Sequence, residues 1–270
     1  MHFGIRSGKH IKSLIPNHWK YPLWYIFKSP QRKLSWYTLI TDTAGLLLFC
    51  FRIIVPKRKL QPISICTGIY NRSDNYLNQL LASLEHASNR ELIELSVFDC
   101  CSTDVSDLET EIRKRWSGKL IFNSENVKFA RSYTFNKAVD QASNEIIFIC
   151  DADLSLPENI VSLCNQYTGK RVVWYPIYFF LYKNKPAIVS KENGEWEQYG
   201  SRGMLACTKR AYNHAGRLDE KYTVWGGEDT DLWARFHGLK YIVIRSRVRG
   251  MFHHWHQTFN KKFAHMNDDE

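Results

Sequence analysis

The sequence predicts an α/β domain built on a mixed, mainly parallel sheet flanked by helices. Three observations carry this expectation. Short apolar runs alternate with segments of helical periodicity between residues 63 and 150. The runs are apolar at nearly every position, as strands covered on both faces must be. Three of them close on polar turns, at Thr67 to Arg72, at Asp99 and at Asp151 to Asp153. Ligands of open α/β sheets bind at the carboxyl ends of strands, so these turns are expected to share one crevice.

The elements follow in order. Ile63 to Ile69 reads as the first strand, and Ser73 is placed to cap a helix in which Leu77, Leu80, Leu81 and Leu84 recur at helical spacing. Leu92 to Phe98 is a second strand closing on Asp99. Ser102, Thr103 and Asp104 then supply turn and cap residues before Leu108, Ile112 and Trp116 line one helical face. Leu120 to Phe122 is a third short strand, residues 130 to 142 a third helix, and Ile146 to Cys150 a fourth strand ending on Asp151. The second half is less regular. Val172 to Tyr182 reads as a strand interrupted by Pro176, followed by a polar loop through Gly194. Gly226 and Gly227 lead into a helix near 229 to 237 that stops at Gly238, and Tyr241 to Ile244 is the last strand.

Composition divides the chain. The 270 residues carry a formal charge of +10, and 44% are hydrophobic, enough to bury a sizeable core. Residues 1 to 60 hold 11 Lys and Arg against the single acid Asp42, a net of +10, while the remaining 26 basic and 26 acidic residues cancel. This basic N-terminal extension is interleaved with Trp19, Tyr21, Trp24, Tyr25, Phe27, Trp36 and Tyr37, a pattern suited to an anionic membrane surface. A basic face packed on the folded domain is the alternative reading. No nucleic-acid module is recognisable, so nucleic acid is not expected as a partner. The most apolar stretch, Leu39 to Val55, contains Asp42 and Arg52 and stops at Pro56, short of what a spanning helix needs. Pro56 to Pro62 forms a basic linker, giving an extension at 1–60, a folded domain at 61–258 and a polar tail at 259–270. Seven cysteines, an odd number lying mostly in apolar runs, fit a reducing compartment, and the expected location is cytoplasmic and peripheral to a membrane. The adjacent pair Cys100-Cys101 lacks the two-residue separation of a zinc or redox motif.

Three clusters carry chemistry. Asp151-Ala152-Asp153 follows a buried strand, and its small central residue lets both carboxylates project toward one mouth; an acidic capping turn is the competing reading. Carboxylate oxygens that leave room for diphosphate oxygens suit Mg²⁺ or Mn²⁺, and an added imidazole favours Mn²⁺. In Trp225-Gly226-Gly227-Glu228-Asp229 the two acids open a helix, where the dipole and free amides favour ionised carboxylates able to accept a hydroxyl proton. The glycines allow unusual backbone angles and close approach, and Trp225 offers a flat face to a sugar ring. Plain helix capping beside a core Trp competes with this, but it would not need Trp-Gly-Gly. His253, His254 and His256 form the third cluster, in which spacing favours His256, then His253, as a metal ligand.

With these residues in place, residues 63 to about 258 resemble the family 2-like glycosyltransferases of the GT-A fold. Ile63 to Arg72 looks like their first strand and donor loop, and Asp151-Ala152-Asp153 like their DxD motif. Phe129-Ala130-Arg131 through Asn136 is similar to a Phe-x-Arg-x-x-x-x-Asn stretch of β-1,4-galactosyltransferases and chondroitin-synthase-type enzymes. Trp225 to Asp231 is similar to their Trp-Gly-Gly-Glu-Asp-x-Asp motif. The resemblance implies a UDP-sugar donor bound by Thr67, Gly68, Tyr70, Arg72, Asp99, Phe129, Arg131, Asp151 and Asp153, with Asp99 contacting the uracil. It implies transfer with inversion to a hydroxyl of a glycan acceptor, Asp229 acting as base and Glu228 as an acceptor contact beside Trp225, Gly226 and Gly227. Asp153 with His256 or His253 would hold Mn²⁺ or Mg²⁺. The chain departs from the pattern at Asp99-Cys100-Cys101-Ser102, where many relatives have a second acid, and at Thr67-Gly68, where proline is common. A retaining transferase and a non-catalytic glycan-binding or scaffold protein are the alternatives. The last would lose the paired acids, and all four are present here.

Overall fold

A computed structural model describes residues 59–197, 202–223 and 226–256, together with Leu47. The N-terminal extension through residue 58, Leu47 aside, the acceptor candidate Trp225 and the tail at 259–270 therefore lie outside the described residues.

The first half builds a four-stranded parallel unit. β1 (Ile63–Ile69), β2 (Ile93–Asp99) and β4 (Ile146–Ile149) are buried at every position, while β3 (Lys119–Ser124) is the partly exposed edge. They run in the order β3-β2-β1-β4 with all pairings parallel. Each central strand is apolar nearly throughout because helices cover both faces. Ile65 and Phe148 point into one layer with Leu80, Leu84 and Ile112, whereas Cys66, Ile147 and Ile149 point into the other with Phe135 and Val139. The first layer comes from α1, made of Ser73–Asn75, a π-helical stretch Tyr76–Leu81 and Ala82–Glu85, and from α2 (Leu108–Arg115). The second comes from α3 (Arg131–Gln141).

The second half converts this unit into a mixed, nine-stranded sheet. After β5 (Leu154–Ser155) and α4 (Ile160–Tyr167) come β6 (Val172–Leu181), β7 (Gly194–Trp196) and β8 (Leu205–Thr208). They are followed by α5 (Lys209–His214), α6 (Glu228–Gly238) and β9 (Ile242–His253). β8 inserts antiparallel between β4 and β6, β9 runs parallel to β6, and β5 pairs antiparallel with β9.

Two expectations are corrected. The last strand does not stop at Ile244 but continues to His253, through Arg245, Arg247 and Arg249. Arg245 is buried while Arg247 and Arg249 are not, so the polar letters include one inward-facing arginine that reads as loop in sequence. Ser73 also does not cap α1. Arg72 holds the cap position without a side-chain bond to the helix amides, and Ser73 instead donates from its amide and Oγ to the Asp104 carboxylate, at 2.9 and 2.7 Å.

Gly68 in β1 lies against α3, where a Cβ would come within 2.8 Å of Thr134 Cβ and Cγ2. Both neighbours belong to packed elements, so Gly68→Ala is expected to cost about 1–3 kcal/mol through overpacking. Equilibrium urea unfolding checks this, and an unchanged midpoint would show that the β1–α3 contact can relax.

Candidate active site

The turns at the carboxyl ends of β1 and β2 lock together before any ligand is considered. Asp99, buried at the end of β2, accepts from the Ser102 amide at 3.0 Å, from Ser102 Oγ at 2.5 Å and from Ser124 Oγ at 3.2 Å. Asn71 sits in the left-handed region at φ 51°. Its amide donates to Ser102 Oγ at 2.9 Å, and its Oδ1 accepts from the Thr103 amide at 2.8 Å. Beside this joint the exposed Tyr70 ring stacks on Phe129, with centroids 6.2 Å apart and planes 19° from parallel. Thr67 and Gly68, two of the expected donor residues, lie inside β1 rather than at its mouth. Thr67 is buried, and Gly68 is held by its approach to Thr134.

Arg131 opens α3 and is the hub of the next layer. Its Nε and Nη2 donate to Asp151 Oδ1 at 3.2 and 3.0 Å, and Nη2 also donates to the Gly203 carbonyl at 2.8 Å. Nη1 reaches Glu228 Oε1 at 3.3 Å, and the guanidinium carbon lies 4.5 Å from the Phe135 ring centre. Burial disfavours the charge on Arg131, but Asp151, Glu228 and Asp229 more than offset that and hold the guanidinium firmly protonated. The two aspartates expected to face one mouth therefore have different partners: Asp151 belongs to Arg131, and Asp153 to the histidines.

Asp153 is buried in the turn after β4. Its Oδ2 lies 2.8 Å from His256 Nε2 and its Oδ1 3.5 Å from His253 Nε2. The register that pairs Leu154 with His253 brings them together, and the His254 amide donates to the Asp153 carbonyl at 2.9 Å. His253 stacks on the rings of Tyr178 and Phe180, at 5.2 and 5.1 Å. Burial alone would raise the Asp153 pKa, yet His253, His256 and Arg72 hold the carboxyl well below its usual range. One potential ligand atom from each of Asp153, His253 and His256 lies within 4.8 Å of the others. Asp153 Oδ1 and His253 Nδ1 are buried without a hydrogen-bond partner among the described residues. One carboxylate and two imidazoles with an orphaned oxygen fit a divalent cation of the Mn²⁺ type. His254 turns away from this group, pairing through Nε2 with Ser155 Oγ at 2.9 Å.

Glu228 and Asp229 open α6, as expected, and diverge. Gly226 and Gly227 have φ of 99° and 106°, and a Cβ on Gly227 would come 2.9 Å from the Tyr222 ring, so both the angle and the space require glycine at that position. Glu228 is buried against Arg131, whereas the half-buried Asp229 lines a pocket with Arg131, Tyr175, Arg202, Gly203 and Leu232. Asp229 Oδ1 accepts from the Thr230 amide at 2.6 Å, and Thr230 Oγ1 accepts from Arg202 Nη1 at 2.8 Å. Burial and the neighbouring Arg245 push the Arg202 pKa down to about 10, against the pull of Asp229. Burial, Arg202 and Arg245 likewise push His237 down to about 4. Sequence reasoning missed Arg202 and Gly203, which belong to no motif. Asn136 serves the scaffold. Its Nδ2 donates to the Leu218 carbonyl at 2.9 Å and Glu220 Oε1 at 2.8 Å, and its Oδ1 accepts from Tyr212 OH at 2.7 Å. That network ties the segment preceding α6 to α3.

A sheet of this topology with an acidic turn after β4 and an acid pair opening α6 defines a GT-A fold, and solved structures of that fold match it. Staphylococcus aureus TarS 1-349 in complex with UDP superposes with a TM-score of 0.55 at 17% identity, covering 72% of this chain and 61% of that one. The Pyrobaculum calidifontis mannosyltransferase PcManGT in complex with GDP-Man and Mn²⁺ superposes with a TM-score of 0.56 at 14% identity, covering 84% and 69%. The family model described as chondroitin N-acetylgalactosaminyltransferase matches residues 72–265, and the chain belongs to that family. Mouse and human chondroitin sulfate N-acetylgalactosaminyltransferase 1 are each 30% identical to it over 133 residues, 43% of this chain and 25% of theirs. Mouse chondroitin sulfate synthase 3 is 29% identical over 166 residues, 56% of this chain and 18% of its own. The chain thus spans about a quarter or less of the length of these relatives.

Arg131→Met would leave Glu228 and Asp151 without their cation. Breaking a buried pair by removing one partner is expected to cost about 3 kcal/mol or more, measured by denaturant unfolding. A change near zero would mean that solvent already screens the bridge.

Proposed function

We propose that the chain is a metal-dependent, inverting glycosyltransferase that moves a sugar from a UDP-sugar to a hydroxyl of a glycan acceptor. The observation that carries this reading is the Asp153–His253–His256 group, in which Asp153 shares its turn with Asp151, the residue that Arg131 bridges to Glu228. The names of the curated relatives make UDP-N-acetylgalactosamine the first donor to test, and UDP accompanies TarS in a solved structure.

On this reading Tyr70, Phe129 and Asp99 receive the base of the donor, and Arg72 and Arg131 lie toward its phosphates. Asp153, His256 and His253 would hold a divalent cation, which supplies Lewis-acid neutralisation of the departing diphosphate. Asp229 removes the proton of the acceptor hydroxyl, whose oxygen attacks the anomeric carbon from the face opposite UDP. The bond from that carbon to the diphosphate oxygen breaks, its electron pair leaves with UDP, and the configuration inverts. Glu228 contacts the acceptor, and Trp225 with Gly226 and Gly227 shapes its seat.

Asp229→Asn keeps the shape and removes the base, so transfer is expected to fall about 10²- to 10⁴-fold while UDP still binds. Asp153→Asn or EDTA should instead abolish metal-dependent UDP binding. Product formation and UDP titration separate the two, and full turnover by Asp229→Asn would end the base assignment.

The basic extension is proposed to hold the enzyme on an anionic membrane surface at the cytoplasmic side, on the strength of its charge and aromatic content. Among the described residues no helix is long and apolar enough to cross a membrane. Removing residues 1–58 should release the protein from vesicles containing anionic lipid in a sedimentation assay. Undiminished sedimentation would assign the contact elsewhere.

A further inference from the structure

The metal candidates include one contact that a bound cation cannot tolerate. Arg72 Nη2 lies 3.0 Å from His256 Nδ1. A guanidinium only donates, so Nδ1 accepts, and the neutral ring carries its proton on Nε2, facing Asp153 Oδ2 at 2.8 Å. A metal-bound imidazole nitrogen must offer its lone pair. If Nε2 ligates, the ring proton moves to Nδ1 and meets the guanidinium N–H donor to donor. If Nδ1 ligates, the guanidinium occupies the metal's place. Either way, the Arg72–His256 contact and a His256–metal bond exclude each other, and the two positive charges repel besides.

The backbone at this point is held by its neighbours. Asn71 is pinned at φ 51° by Ser102 and Thr103, and Ser73 by Asp104, so Arg72 can answer a cation only by rotating its side chain. Arg72 is also on the turn that leaves β1, among the elements whose ends line the crevice.

We infer that Arg72 is a positioning residue that couples the cation to the donor. Without metal it holds His256 against Asp153; a divalent cation displaces it from that ring, and the guanidinium then turns toward a nucleoside diphosphate. The inference rests on the metal reading above. It makes cation and diphosphate cooperate through this arginine as well as through direct coordination.

The test is Mn²⁺ binding to the full-length protein without nucleotide, followed by the electron paramagnetic resonance signal of free Mn²⁺. Arg72→Met, which keeps length and loses both charge and donor, should bind Mn²⁺ roughly tenfold more tightly than wild type. The gain in Mn²⁺ affinity on adding UDP should shrink in the same variant, and Arg72→Lys, which retains charge and a donor, should restore part of it. In the metal-free wild-type protein, long-range ¹H–¹⁵N spectra should show His256 with its proton on Nε2, a readout that does not depend on how any variant folds. A proton on Nδ1 overturns the inference. So does Mn²⁺ affinity in Arg72→Met equal to or weaker than that of a wild type that does bind Mn²⁺; the metal reading then stands. Failure of the wild type itself to bind Mn²⁺ overturns both.

Discussion

The arrangement depends on one buried cation. Taking a guanidinium out of water is costly unless carboxylates and carbonyls replace its hydration. Arg131 obtains those replacements from three segments far apart in sequence: Asp151 after β4, Gly203 before β8 and Glu228 at the start of α6. None of the four segments can shift alone without leaving a buried charge or carbonyl unmatched. The bridge therefore sets where α6 begins relative to the end of β4, and with it where Asp229 sits relative to the turn that carries Asp153. Asn136, further along α3, fixes the approach to the same helix by holding Leu218 and Glu220. A single short helix thus positions both acid motifs.

The histidine group depends on a different constraint, the length of β9. Its pairing with β6 shifts register between Ile177 and Phe179, and Gly250 takes a φ of 84° in the same stretch. A strand that is bent in this way can carry His253 against β5, where a two-residue pairing is enough to bring it to Asp153. Tyr178 and Phe180 then pack on the imidazole with two rings, so its direction is set by packing.

Legibility in the sequence follows the kind of contact. β1, β2 and β4 announce themselves because burial on both faces leaves mostly apolar letters, and α3 is readable to within a residue at each end. β8 is hidden because four residues give no period to count, and the end of β9 is hidden because Arg245, Arg247 and Arg249 look solvated although Arg245 is buried. Among site residues, Asp153, His253 and His256 stand out by type and spacing, and the structure brings them together. Gly68 stands out for a different reason from the one that constrains it, which is Thr134. Arg202 and Gly203 have no local signature at all: they enter through tertiary position, one over the Trp233 ring and the other through a backbone carbonyl.

The division of labour between Glu228 and Asp229 follows from helix geometry. Neighbours on a helix are turned about 100° apart, so adjacent carboxylates at its first turn cannot share one environment. Glu228 takes the inward direction: one oxygen is on Arg131, while Oε2 is buried with no partner among the described residues. A buried carboxylate oxygen left without a partner is costly, so on the proposed reading the acceptor hydroxyl donates to it. Asp229 takes the direction of the pocket, where the Thr230 amide donates to one of its oxygens. On the proposed reading, Glu228, fixed by Arg131, is the acceptor contact, and Asp229, which lines the pocket, is the base. On that reading, exchanging the two acids would aim the proton acceptor at the Arg131 guanidinium, which already pairs with position 228.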